Sequence, residues 1–218
     1  GVRDMSPRLR NVLISGCVVT GNVGGIRFDN VSDSCIADCY VHNNSWTSIY
    51  VILSPDNVTI ENCTVADNGA FGHPGSVHVS GSNVSITGCR IYDNWNEGIW
   101  LYLVNHADIS YNTIYGNTAE GITVHGGSGP VSDVVIHDND MKDRIYFADC
   151  IDAVTVEYNN ASGVFARRSS GNRICENNFI GSGVRLDDSP HNIISGNIIA
   201  DSSEEGVCLV SSPYTTVS

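Results

Sequence analysis

One spacing constrains this chain more than any other feature. An isoleucine or valine recurs at Ile14, Ile36, Ile60, Ile86, Ile109, Ile136, Val156, Ile174 and Ile194, at intervals of 18 to 27 residues. Three residues after each stands a cysteine or an asparagine: Cys17, Cys39, Cys63, Cys89, Asn112, Asn139, Asn159, Asn177 and Asn197. Two residues further on the chain is apolar again, from Val19 through Ile91 to Ile199, with Ala161 as the exception. A second alternating run follows in every unit, as in Ile49-x-Val51, Ile99-x-Leu101 and Val207-x-Leu209. It often opens on glycine: Gly25, Gly98, Gly121, Gly163, Gly183 and Gly206. Alternation with a period of two is the signature of strands. The stretch Asn83–His106 is the clearest copy. Two short strands and three corners cannot close a core alone, so each unit needs stacked neighbours.

Helical repeats fail this pattern. Leucine-rich repeats need several leucines per unit, and helix pairs need longer runs of period 3.6, which β-branched residues and Asn/Gly corners oppose. The reading is therefore an all-β solenoid of about nine coils, two or three short strands per coil, with coils about 4.8 Å apart. An inward asparagine repeated at that spacing predicts a ladder of amide hydrogen bonds. Cysteine takes the same place in the first four coils, as a small side chain that tolerates burial without a partner. Side chains in register point the same way, so a stack of buried thiols is expected rather than disulfides, while Cys208 reads as outward. Residues 1–10 read as a lead-in or partial cap, 11–212 as the solenoid and 213–218 as the start of a further coil or tail. The poorly capped ends suggest either a piece of a longer protein or pairing with other copies, as a homo-oligomer or end-to-end filament.

The units Ala107–Val124 and His191–Val210 resemble the right-handed parallel β-helix, pectin-lyase-like superfamily. The repeat is most similar to the asparagine-ladder type of periplasmic copper-enzyme maturation proteins and of archaeal and bacterial surface proteins. The resemblance implies a single-stranded right-handed parallel β-helix. It implies no single activity, because the scaffold carries lyases, hydrolases, epimerases, adhesins and inert spacers. Of the polygalacturonase motifs only Asp187-Asp188 is present. The Asp-Pro-His of alginate epimerases is approached by Asp188-Ser189-Pro190-His191, one residue too long.

The net charge of −13, with Lys142 the single lysine, argues against a nucleic-acid partner. No apolar run is long enough to span a membrane. An extracellular, cell-surface or periplasmic location is expected, with no signal peptide present in this sequence.

The outward positions of the second run place Tyr50, Trp100, Tyr102, Tyr146 and Phe165 on one face, with Arg167, Arg185 and Asp187. Such a row suits sugar rings, whose C–H faces stack on aromatics. It equally suits contact with another protein chain, and aromatics are also simply good strand formers. The expected function is a structural or binding scaffold for a glycan or for neighbouring subunits. The alternative is a polysaccharide-active lyase, epimerase or hydrolase on the same face, with Glu97 and Glu120 as acid and base and His78 or His125 assisting. Asp67 and Asp93 share a corner column, where calcium would offset their repulsion if water and salt do not. The lengthened corners Asp67–Ser76 and His125–Asp133 flank the coil of Trp100.

Overall fold

The computed structural model describes residues 8–69, 76–127, 129 and 131–218. Within them the chain winds through three strand-bearing faces per turn, and no helix is present. The first face stacks Val31–Ala37, Asp56–Glu61, Ser82–Thr87, Asn105–Ser110, Ser132–His137, Val154–Glu157, Arg173–Cys175 and Ile193–Ser195. The second stacks Tyr40–His42, Thr64–Ala66, Arg90–Tyr92, Thr113–Tyr115 and Asp140–Met141. The third stacks Ile26–Asp29, Ile49–Ile52, Val77–Val79, Ile99–Tyr102, Ile122–His125 and Ile145–Ala148. Every pairing is parallel, and the isoleucine column is in register: Ile36 with Ile60, Ile60 with Ile86, Ile86 with Ile109, Ile109 with Ile136. The expected solenoid of about nine coils is what forms. Its core is a stack of Ile, Val and Leu, joined by Phe147 and Phe179.

The unequal unit lengths have a structural cause. In the short units of the C-terminal half the corner between second and third faces disappears. Asn160–Arg167 and Asn178–Asp187 each run unbroken across both faces, with one register shift between Ala161 and Gly163. The corner returns in the last coil, where Ile198–Ala200 and Val207–Val210 are separate strands.

The corner after the first face is made the same way in each coil. A residue in the left-handed region precedes the Cys/Asn position: Gly16, Asp38, Asn62, Gly88, Tyr111, Asp138, Tyr158, Glu176 and Gly196. Asn, Asp and Gly reach that region most cheaply, which accounts for their abundance. The next side chain then turns inward. The asparagine ladder runs as expected from Asn112 to Asn139, Asn159, Asn177 and Asn197, with amide-to-amide distances of 2.9–3.0 Å.

A second ladder stands one corner further along the chain. At the corner between second and third faces Asn22, Asn44, Asn68, Asn94 and Asn117 are linked at 3.0–3.2 Å, and Asn117 ends on the carboxylate of Asp143. It runs through the four coils whose first corner holds cysteine and into the next, whose first corner holds Asn112. Cys39, Cys63 and Cys89 are buried and all eight cysteines are free thiols. Cys17 departs from the expected burial: it is exposed, and among the described residues its coil has a neighbour on one side only. Cys208 is half-buried.

Candidate functional site

The outward side chains of the third face form one unbroken column. Paired residue by residue, it reads Arg27, Tyr50, His78, Trp100, Thr123, Tyr146, Phe165, Arg185 and Cys208. Tyr50, Trp100, Tyr146 and Phe165 are therefore brought together as the sequence suggests. Their rings contact the next member of the column: Tyr50 meets His78 edge-on at 4.8 Å, His78 meets Trp100 at 5.0 Å, and Tyr146 meets Phe165 at 5.4 Å. Arg27 sits over Tyr50, and both Arg144 and Arg185 sit over Phe165.

The face differs from expectation in depth. His78 is only 8% exposed and Thr123 5%, although both point outward from the strand. Bulky neighbours on the coils above and below cover them. His78 Nδ1, Trp100 Nε1 and Thr123 Oγ1, on three successive coils, are buried and make no hydrogen bond to a described residue. Burial pushes the His78 imidazole down to about 4, so it is neutral near pH 7.

A parallel column holds Tyr102, His125, Ala148, Arg167 and Asp187. Tyr102 stacks on His125 at 5.9 Å. His125 Nδ1 accepts from the Gly127 backbone N–H, which turns Nε2 toward Asp149 at 3.8 Å. Arg168 clamps the same carboxylate through two hydrogen bonds of 2.7 and 3.0 Å and holds Asp149 below the usual carboxylate range. Asp187 pairs with Arg185 at 3.1 Å, while Arg167 is exposed.

The acidic pairs stack as expected, Glu97 beside Glu120 and Asp67 beside Asp93. Glu120 is held by Arg144 at 2.9 Å, which offsets part of the repulsion. Asp67 and Asp93 are both exposed. No group of three or more His, Cys, Asp or Glu that could hold a metal ion is gathered among the described residues. The middle of the corner Asp67–Ser76, residues 70–75 with His73, lies outside the described residues.

Two tryptophans were missed because they stand at a corner, where no strand periodicity marks them. Trp46 and Trp95 are 50% and 46% exposed. Trp46 lines a cleft of about 270 Å³ with Gly25, Arg27 and Tyr50. With Trp100, all three tryptophans of the chain lie outside the core, on coils two and four. A larger, more polar cleft of about 690 Å³ opens at the far edge of the face, between Pro55, Gly81, Leu103 and His106.

A family model described as the right handed beta helix region matches residues 10–148 and 144–218. The chain belongs to this β-helix family. No curated protein sequence matches it. Among solved structures the β-helix is similar to the A-modules of two mannuronan C-5 epimerases of Azotobacter vinelandii. The AlgE4 module is 17% identical with a TM-score of 0.51, over 96% of this chain and 58% of that one. The AlgE6 module is 17% identical with a TM-score of 0.57, over 95% and 58%. PfbA, a surface adhesin of Streptococcus pneumoniae, is 14% identical with a TM-score of 0.63, over 95% and 62%. The chain thus spans about three fifths of the length of these proteins. At such identities the likeness is one of fold. No helix among the described residues is long and apolar enough to cross a membrane.

Proposed function

We propose that this β-helix is an extracellular or cell-surface module that holds a polysaccharide along its third face. The observation that carries the reading is the continuous column from Arg27 to Arg185, with aromatic rings on five of its coils if His78 is counted. A rod whose rungs repeat at about 4.8 Å offers a regular series of ring edges to a polymer that is itself regular. The surface location is supported by the similarity to PfbA, named as a surface adhesin.

The test is the double variant Trp100→Ala with Tyr102→Ala, measured by affinity electrophoresis through gels containing neutral or uronate polysaccharides. Retardation of the parent and its loss in the variant support the reading. A variant retarded as strongly as the parent argues against it.

A second reading, a polysaccharide-active enzyme, rests on one cluster. Tyr102, His125 and Asp149 stand together beside the column, a phenol and an imidazole next to a carboxylate. A screen for altered or cleaved uronate polymers, repeated with His125→Gln, separates this reading from simple binding. Glu97→Gln and Glu120→Gln belong in the same screen.

A further inference from the structure

We propose that the second face carries a separate binding site for an acidic sugar, built on Tyr92, Tyr115, Arg90 and Lys142. Tyr92 and Tyr115 are paired in register on successive coils, and their rings are nearly parallel, 5.1 Å apart at 8°. Arg90 lies over both rings, at 4.9 and 5.5 Å, and its Nε donates to the Tyr115 hydroxyl at 3.1 Å. Lys142 follows Tyr115 one coil on: Ile114 pairs with Met141, and the Lys142 backbone N–H donates to Ile114. On the other side Tyr40 and His42 stack at 4.1 Å, with Tyr40 38% exposed.

The charges point to a ligand. Arg8, Arg10, Arg27, Arg144, Arg168 and Arg185 each have a carboxylate within 4.0 Å. Arg90 and Lys142 are both exposed, and neither has one among the described residues. Arg167 and Arg173 also lack one among the described residues; what sets Arg90 and Lys142 apart is that they share one face two coils apart, with the stacked Tyr92 and Tyr115 between them. Arg90 is moreover held in place by aromatic rings and a phenol rather than by an acid. Its guanidinium is thus oriented without being neutralised, which lowers the ordering cost of binding an anion.

The size of the strip selects the ligand. From Arg90 to Lys142 it crosses three coils, about 10 Å. That is the length of one or two sugar units and far below the area a stable protein interface buries. Tyrosine rings offer stacking for the C–H face of a sugar, and the two cations offer pairing for a carboxylate or a sulfate ester. The site stands apart from the third-face column and does not rest on that column binding glycan.

The experiment uses the Trp100→Ala/Tyr102→Ala chain as parent, so that the third face contributes little. Isothermal titration is run with trigalacturonate, with a sulfated galactose trisaccharide and with neutral cellotriose. At least one acidic probe is expected to bind at low ionic strength and to weaken as salt rises, and the probe that binds assigns the acid group. Adding Arg90→Gln and Lys142→Gln should lower its affinity at least tenfold, and Tyr115→Ala should do the same with both cations present. Lys142→Gln alone, at an exposed side chain that packs on nothing essential, keeps the test valid if the Arg90 variant folds poorly, and should cost several-fold. The proposal is overturned if neither acidic probe binds, if cellotriose binds as tightly, or if removing the two cations leaves the affinity unchanged.

Discussion

The backbone N–H of Cys89 donates to the side-chain oxygen of Asn112 over 2.9 Å. This is where the cysteine part of the first corner meets the asparagine part. A thiol and an amide occupy equivalent places, and the backbone of one is capped by the side chain of the other. The Cys89 thiol itself points at the Thr87 carbonyl and, at 3.7 Å, toward that of Ile60. Asn139 meets the equivalent carbonyls, of His137 and Ile109, at 2.8–2.9 Å.

This equivalence sets an asymmetry of substitution. Cys89→Asn should extend the ladder by one rung and change stability by less than about 1 kcal/mol. Asn139→Ala strands the carbonyls of Ile109 and His137 and the amides of its ladder neighbours, and should cost about 3 kcal/mol or more. Asn139→Cys should fall between the two. Denaturant midpoints of the three variants check the order, and an Asn139→Ala chain as stable as the parent would refute the ladder's role.

Glycine at the start of the third-face strand is a matter of clearance. A Cβ on Gly163 would lie 2.1 Å from the Gly183 carbonyl oxygen, whereas one on Gly206 would meet nothing closer than 3.5 Å. Gly163→Ala should therefore destabilise by about 1–3 kcal/mol, as overpacking against backbone does. Gly206→Ala should be nearly silent, within about 0.5 kcal/mol. Thermal midpoints of the pair decide it.

His78 makes stability depend on pH in a defined window. Its folded pKa lies below the ordinary value of 6.5, at about 4, because burial penalises the cation. Between those values the unfolded chain binds more protons than the folded one, so stability rises with pH through the window. Acidifying from pH 6.5 to pH 4 should thus cost roughly 3 kcal/mol from this residue. Replacing His78 by Phe should flatten the melting temperature between pH 6.5 and 4.5. The paired carboxylates Asp33 and Asp149, held low by their partners, act only below that window. Unchanged pH dependence in the variant would exclude His78 as its source.

Thiol reactivity should follow burial. Cys17 is exposed, while Cys39, Cys63, Cys89 and Cys150 are buried, and burial pushes the Cys150 thiol up to about 12. Iodoacetamide under native conditions should modify Cys17 first, and these four only after unfolding. Peptide mass spectrometry reads the order directly. Rapid native labelling of Cys63 or Cys89 would contradict the packed column.

Much of this was legible in the chain before any coordinate. The isoleucine spacing, the alternation in each third-face strand and the Asn112–Asn197 column determined a parallel solenoid, because a repeat that cannot bury its own face must stack. The same register told which aromatics share the third face. Other features came only from tertiary structure. The Asn22–Asn117 positions follow Cys17, Cys39, Cys63, Cys89 and Asn112 at a constant offset of five residues, but that these side chains turn inward and link was decided by the corner geometry. Trp46 and Trp95 stand where periodicity is silent. The burial of His78 and Thr123 depends on neighbours one coil away, more than twenty residues distant in sequence. So does the ion pair between Glu120 and Arg144. So, too, does the solitude of Arg90 and Lys142, which composition hides: an excess of acids in the whole chain says nothing about where the few cations are left without them.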